Sequence, residues 1–447
     1  MSPPQECLLM SSRLQMFKPM QFVSTNDAYA KASFKNAVLR GIPKDGGLFV
    51  PDTIPELDDS ILNDVHSFNI QELAYNILAP FTGEDLSEEQ LKRIIAHTFQ
   101  FAIPLVRIGH SDIHALELFH GPTWAFKDVG ARFLAGCLSQ WNTAGEENII
   151  LVATSGDTGG AVANGFYQQK GIKVVILYPA GRVSPLQEMQ IAGLGGNITA
   201  LAVDGSFDDC QSLVKKAFSD TALRNRINLT SANSINIARW LPQTIFYALA
   251  WREARKKGIE QVICIPSGNY GNIAAAYLAH DMGFSFQDIL AAHNANDTIP
   301  RYLASGEYKP DKTISTLANA MDVNDPSNFV RLQYLQQHQF RGRLAGFQAK
   351  CVSDEQILHT IKAVWDSHKY LLDPHAATAW HMLKENGGKG IIVATAHPFK
   401  FENIIMRALG FYPEEWNKEW ESGPVCSISI PTAYAALKEI LLDIGKT

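Results

Sequence analysis

From about residue 113 onward, short β-rich runs alternate with amphipathic helical stretches. This alternation narrows the possible folds more than any other feature of the chain. The runs Asn148 to Ala153, Val174 to Tyr178, Ile198 to Val203, Gln261 to Ile265 and Gly390 to Ala394 read as strands, and each of the first four leads into a helical or loop-then-helical stretch. Repeated βα units of this kind predict an α/β architecture with mainly parallel sheets. The preceding segment reads differently. After a short extended start at Met20, apolar residues fall at helical spacing in Ile70 to Leu78 and Leu91 to Phe99, which predicts a mostly helical region to about residue 100. The 447 residues suffice for two or three domains.

Two of the strand-to-helix junctions are rich in glycine. Ile149 to Thr154 runs into Ser155-Gly156-Asp157-Thr158-Gly159-Gly160, with a helix expected from near Ala161. Val262 to Pro266 runs into Ser267-Gly268-Asn269-Tyr270-Gly271-Asn272, with a helix expected from near Ile273. A glycine turn at a helix N-terminus presents several backbone N–H groups together with the positive end of the helix dipole, and so suits an anion. Two such junctions suggest two anions to hold. A plain tight turn also needs glycine for positive φ, so the residues alone leave both readings open. Neither junction is a phosphate loop ending in Gly-Lys-Ser/Thr or a GxGxxG dinucleotide fingerprint, and nucleotide binding gains no support.

A third feature is the segment Phe119-His120-Gly121-Pro122-Thr123-Trp124-Ala125-Phe126-Lys127-Asp128. A lysine in apolar surroundings has its ammonium form disfavoured, which frees the amine as a nucleophile or base. A surface lysine lying over its apolar neighbours beside Asp128 is the competing reading. Composition excludes other functions. With a net charge of -6 and no basic stripe, the chain offers no electrostatic grip on nucleic acid. No apolar run approaches the length of a membrane span. The six scattered cysteines suit reduced thiols in a cytoplasmic protein, with no zinc or other metal site. Leu8-Leu9-Met10 is too short for the core of a signal peptide, so residues 1–19 read as a flexible extension.

The lysine segment resembles the cofactor-lysine motif of the threonine synthases. The similarity continues in order along the chain: Asp45 to Pro51, Ser155 to Gly159, Asn233 to Arg239, Ser267 to Asn272, Asn296-Asp297, Ala320 to Phe329, Leu372 to His375 and Thr395 to Pro398. The resemblance implies the type II fold of pyridoxal-phosphate enzymes, shared with the tryptophan synthase β chain. It also implies conversion of O-phospho-L-homoserine and water into L-threonine and phosphate, with pyridoxal 5'-phosphate as cofactor. On this resemblance Lys127 carries the cofactor as a Schiff base and moves protons at the substrate carbons. Gly268, Asn269, Tyr270, Gly271 and Asn272 receive the cofactor phosphate, and the Thr395 hydroxyl meets the pyridine nitrogen. Ser155, Gly156, Asp157 and Thr158 form the turn for the substrate α-carboxylate. The Asp157 side chain is expected to point away from it or to accept local backbone N–H bonds.

The substrate phosphate needs cations, and Arg239 is the first candidate, with Ser234, Asn236 and Lys400 behind it. A structural salt bridge is the other reading of Arg239. His120, His375 and His397 are expected to be packed and hydrogen-bonded. The resemblance implies a helical region over 20–100, a large cofactor-binding α/β domain from 101–145 and 231–447, and a small α/β domain over 146–230. The chain reads as the shorter type, whose members suggest a monomer, while charge and apolar run length give no nucleic acid or membrane partner. A phospho-lyase giving 2-oxobutyrate from the same substrate is the alternative.

Overall fold

The computed structural model describes residues 20–142, 147–338, 347–413 and 424–445. The expected extension over residues 1–19 lies outside the described residues. The strands among the described residues are, in chain order, β1 (Phe22–Ser24), β2 (Phe49–Pro51), β3 (Leu105–Arg107), β4 (Asp112–Glu117), β5 (Asn148–Ala153), β6 (Ile172–Pro179), β7 (Ile198–Val203), β8 (Asn228–Ser231), β9 (Val262–Pro266), β10 (Asp288–His293), β11 (Gln348–Cys351), β12 (Lys389–Ala394) and β13 (Ser427–Ile430). They form a small antiparallel pair, β1-β2, and two larger sheets. One is six-stranded in the order β11-β10-β9-β12-β4-β3, parallel except for β3 against β4. The other is five-stranded and wholly parallel, in the order β13-β7-β6-β5-β8.

Side-chain alternation along these strands divides the interior. In β5, Ile150 and Val152 face a core that also takes Val174 and Ile176 of β6, together with Ile263 and Ile265 of β9 and Ile391 and Val393 of β12. The intervening residues point the other way: Ile149, Leu151, Val175 and Leu177 into a core behind the smaller sheet, and Cys264, Ile392 and Ala394 into one behind the larger. Both sheets therefore bury both faces, as parallel sheets flanked by helices must. The central core is shared between them and takes in the helices Lys127–Trp141, Asp157–Phe166, Thr244–Lys257 and Gly271–Asp281.

The periodic segments of the N-terminal region form the helices Ile70–Thr82 and Glu88–Thr98. The second starts three residues before its apolar stripe, because Ser87 and Gln90 form a capping box around a polar first turn. The helices after the glycine junctions also start early, at Asp157 and Gly271 rather than near Ala161 and Ile273, since their first turns border a cavity instead of a core. A larger departure concerns the C-terminal segment, assigned above to the larger domain. Strand β13 pairs with β7. Ile430, together with Leu437 and Leu441 of the helix Tyr434–Ile444, joins Leu151, Leu177 and Leu213 in the core behind the smaller sheet. No helix among the described residues is long and apolar enough to cross a membrane.

A buried arginine ties the N-terminal region to the rest. Arg331 is fully enclosed and donates to Phe49 O at 3.2 Å, Ser234 O at 3.3 Å, Ile235 O at 2.6 Å and Asn328 Oδ1 at 2.7 Å. Its guanidinium lies 4.8 Å from the Trp240 ring centroid. Burial lowers its pKa to about 9, a cost offset by four acceptors and an aromatic face. Arg331→Met should leave those acceptors without a donor and destabilise the protein by about 3–5 kcal/mol, seen as a lower urea midpoint. An unchanged midpoint would show that Arg331 does not pin these segments.

Candidate active site

A cavity of about 1310 Å³ lies where the C-terminal ends of β5, β9 and β12 and the loop that follows β4 come together. The loop after β4 is laced to the end of β12. Leu118 N donates to Ala394 O at 2.9 Å, Phe126 N to Thr395 O at 2.9 Å, and His397 N to Trp124 O at 3.0 Å. Trp124 takes a left-handed backbone with φ 58, a conformation that costs a non-glycine residue on the order of 1–2 kcal/mol. Its ring is set against His397 and Phe399. The lacing places Lys127, first residue of the helix Lys127–Trp141, beside Thr395, and both border the cavity. Asp128 does not pair with Lys127; its carboxylate accepts from Thr123 N at 2.9 Å and Thr123 Oγ1 at 2.5 Å. The reading of Lys127 as a solvated surface lysine therefore fails. Burial, with Lys400 and Arg239 nearby, lowers the Lys127 pKa against the opposing pull of Asp157.

Beyond β9, residues 267 to 273 border the cavity as the chain enters the helix Gly271–Asp281, whose first-turn N–H groups have no partners within the helix. Tyr270 has φ 62 and is held there by its hydroxyl, 2.7 Å from His293 Nε2. Ser234 braces the turn, accepting from Asn269 Nδ2 at 2.8 Å and Asn328 Nδ2 at 3.3 Å. A Cβ on Gly268 would lie 2.7 Å from Met321 Cα, so only glycine lets the backbone run this close. Asn272 accepts from Tyr247 at 2.5 Å through Oδ1, while its buried Nδ2 has no protein acceptor.

The turn after β5 is organised by Thr154, whose Oγ1 accepts from Gly156 N at 3.0 Å and Gly159 N at 2.9 Å. Ser155 and Thr158 border the cavity, but Gly156 does not. Gly156 has φ 146 and lies against the Gln187 side chain, so it shapes the turn rather than lining the site. For Asp157 one of the two expectations above, the local backbone bonds, is overturned. Its buried side chain takes no local backbone bond: Oδ1 meets Lys400 Nζ at 3.0 Å and Gln187 Nε2 at 3.0 Å, and Oδ2 faces Lys127 Nζ at 3.7 Å. Burial alone would raise its pKa, but Lys400 and Lys127, with the Gln187 hydrogen bond, outweigh this and hold the carboxyl well below the usual range.

Two further candidates also change place. Lys400 is sealed off, its three N–H donors directed to Asp157 Oδ1, Thr123 O at 2.7 Å and Gln190 Oε1 at 2.9 Å, so it has none left for a substrate. Asn236 is fully buried. It caps the helix Ile237–Trp240 through Oδ1 and donates to Val38 O and Ser231 O, which takes it away from the cavity. Arg239 borders the cavity and forms no ion pair among the described residues. It donates through Nη1 to Ala232 O, while its buried Nε has no protein acceptor. The histidines are hydrogen-bonded, His375 between Asp373 and Ala320 N and His397 with Nδ1 accepting from Phe399 N, but only these two are packed; His120, with Nε2 2.7 Å from Glu117, is exposed.

An aldehyde cofactor bearing a phosphate fits this lining. The cavity has a largely enclosed amine, a helix start with free N–H groups, a turn that Gly268 lets pass close to Met321, and an amide donor on Asn272 without a protein partner. The wider lining adds cations that sequence reasoning missed: Arg40, Lys44, Lys215 and Arg224 join Lys127 and Arg239, against the carboxylates of Asp157 and Asp325. They come as two pairs, Arg40 with Lys44 and Lys215 with Arg224, far apart in sequence and without a motif, so only the fold gathers them. The Gln187 and Gln190 contacts have no sequence signature either.

The sequence profile of the family described as "Pyridoxal-phosphate dependent enzyme" matches residues 102–396, and that described as "Threonine synthase N terminus" matches residues 21–99. Threonine synthase of Serratia marcescens is 40% identical over 438 residues, covering 95% of this chain and 100% of that protein. Threonine synthase of Haemophilus influenzae is 41% identical over 422 residues, covering 92% and 97%. The crystal structure of threonine synthase from Escherichia coli superposes with a TM-score of 0.87 at 38% identity, covering 95% of this chain and 100% of that one. A PLP-bound threonine synthase from Brucella melitensis does so with a TM-score of 0.85 at 31% identity, covering 96% and 100%. Maize serine racemase, at 16% identity and a TM-score of 0.51, shares the fold alone. The architecture is accordingly the type II pyridoxal-phosphate fold, the cofactor is pyridoxal phosphate, and the chain belongs to the threonine synthase family.

Proposed function

We propose that this protein converts O-phospho-L-homoserine and water into L-threonine and phosphate, with Lys127 as the cofactor lysine and the proton carrier. The observation that carries this reading is a single cavity that brings Lys127 and the glycine turn after β9 together among an excess of cations. A substrate with both a carboxylate and a phosphate suits that charge. The curated relatives cited above are named threonine synthase, and nothing in the cavity favours the phospho-lyase alternative.

When bound, pyridoxal phosphate supplies an electron sink that makes protons next to the substrate amine removable. The chain's residues do the rest. The turn from Gly268 to Asn272 takes the cofactor phosphate on its N–H groups and the free Asn272 amide. The Thr395 hydroxyl, just past the end of β12 on the cavity wall, would serve the pyridine nitrogen. Ser155 and Thr158 offer the substrate carboxylate the start of the helix Asp157–Phe166. Arg239, with one N–H unpaired, holds the substrate phosphate. The Lys127 amine, within reach of adjacent substrate carbons, moves protons at each in turn. The carboxylate turn lies in the smaller α/β domain (146–230, completed by β13 and its following helix). The phosphate turn lies in the larger one, so the substrate bridges the two.

The direct test is to incubate the purified protein with O-phospho-L-homoserine and identify the products. L-threonine and phosphate in equal amounts are expected; 2-oxobutyrate in place of threonine would overturn the assignment. Lys127→Ala should lose the visible absorbance of the bound cofactor, with turnover falling by roughly 10²–10⁴-fold or more. Gly268→Ala should weaken pyridoxal phosphate binding in equilibrium dialysis and, because its Cβ meets the Met321 backbone, should also lower the thermal midpoint of the cofactor-free protein. Arg239→Gln should raise KM for the phosphorylated substrate by about 10- to 100-fold with a smaller change in kcat. An unchanged KM would remove Arg239 from the phosphate site.

A further inference from the structure

The buried charges around Lys127 come from both domains. Lys127 and Lys400 belong to the larger, and Asp157, Gln187 and Gln190 to the smaller. Asp157 Oδ1 is saturated by Lys400 Nζ and Gln187 Nε2, each at 3.0 Å. Only Oδ2 is left for Lys127, at 3.7 Å, too long for a hydrogen bond. Lys400 spends all three of its donors on Asp157, Thr123 O and Gln190 Oε1, and its side chain is completely excluded from solvent. No proton transfer described above uses this pair.

We propose that Lys400 is a positioning residue for Lys127: it neutralises and fixes the Asp157 carboxylate, leaving the Lys127 amine free to combine with the cofactor aldehyde. This inference rests on the reading of Lys127 as the cofactor lysine. A lysine bonds an aldehyde only through its neutral amine, whose lone pair forms the C–N bond as one water leaves. A buried carboxylate with Lys127 as its sole cation would favour the ammonium form of that lysine, because neutralising it would leave the carboxylate without a counter-ion. With Lys400 in place the carboxylate is already matched, and Lys127 becomes the surplus cation. The charged groups facing Lys127 are Asp157, which favours its ammonium, and Lys400 and Arg239, which oppose it. Removing Lys400 deletes one opposing charge and also frees Asp157 to pair with Lys127, so both consequences push Lys127 toward its charged form.

The test uses full-length holoenzymes stripped of cofactor and recharged with pyridoxal phosphate, following the return of visible absorbance across pH. Full recovery of the wild-type spectrum shows that the stripped chain is native. Lys400→Met should move the pH midpoint of the recharging rate upward and slow recharging below the wild-type midpoint by about ten-fold. Asp157→Asn should move the midpoint downward, and Asp157→Asn combined with Lys400→Met should bring it back toward wild type. A purely structural role for Lys400 would change the amount of folded protein without moving the midpoint, and an unmoved midpoint in Lys400→Met overturns the proposal. If that variant does not fold, Lys400→Arg and Lys400→Gln take its place. Lys400→Arg keeps a cation on Asp157 and should hold the wild-type midpoint, Lys400→Gln should raise it, and equal midpoints in the two overturn the proposal. Lys127→Ala separates the two layers: return of the wild-type absorbance in that variant would bring down the cofactor-lysine reading and this inference together, whereas failure of the inference alone leaves Lys127→Ala colourless.

Discussion

A parallel strand cannot turn straight back. It leaves its sheet at the C-terminal edge and must be followed by a crossover, most often a helix. Strand after strand therefore delivers the start of a new segment to the same edge, and the site is built there. Here the two sheets bring such edges to a common cavity. The strand β5 delivers the helix start at Asp157, β9 the one at Gly271, and β4, by way of its loop, the one at Lys127. Each helix start carries unpaired N–H groups and a partial positive charge. The cavity is thus predisposed toward anions before any side chain is considered, which suits a phosphorylated cofactor and an acidic substrate.

That predisposition creates a difficulty, since cations crowd where the backbone is already positive. The protein answers it with different devices at different depths. Arg331 lies deepest, spread over four oxygen acceptors and the face of Trp240. Lys400 is matched by the single carboxylate of Asp157. Arg239 borders the cavity with its buried Nε–H unpaired, and Arg40, Lys44, Lys215 and Arg224 stay near the mouth, where water screens them. A graded arrangement of this kind keeps the interior stable while leaving positive potential for a ligand.

The chain reveals its strands where apolar runs are long and β-branched, as in Ile149 to Val152, and conceals them where they are not. The strand β10 reads Asp-Ile-Leu-Ala-Ala-His and β11 Gln-Ala-Lys-Cys. Their place comes from pairing with β9 and with each other, a tertiary effect that local propensity does not carry. The glycine turns and the lysine segment were legible because backbone geometry and apolar context leave marks at short range. Asp157 was misjudged because its partners, Gln187 and Lys400, lie 30 and 243 positions away. No local argument about a carboxylate beside an anion turn could place them. Asn236 was misjudged for a simpler reason. Its neighbours Ser234 and Arg239 do border the cavity, but a helix cap turns the side chain between them inward.

The strand β13 closes the edge of the five-stranded sheet, although more than two hundred residues separate it from β7, the strand it pairs with. Domains tend to fold as units while the chain is being made, but this smaller unit cannot reach its finished form early. Its other four strands and most of its core would emerge from the ribosome first, with β7 presenting a bare edge until residues 427–430 follow. All strands of the six-stranded sheet are out by then. Biosynthesis would thus complete the larger half before the smaller one, although most of the smaller half is translated earlier, and a nascent chain halted before residue 427 would carry an open strand edge available to other chains.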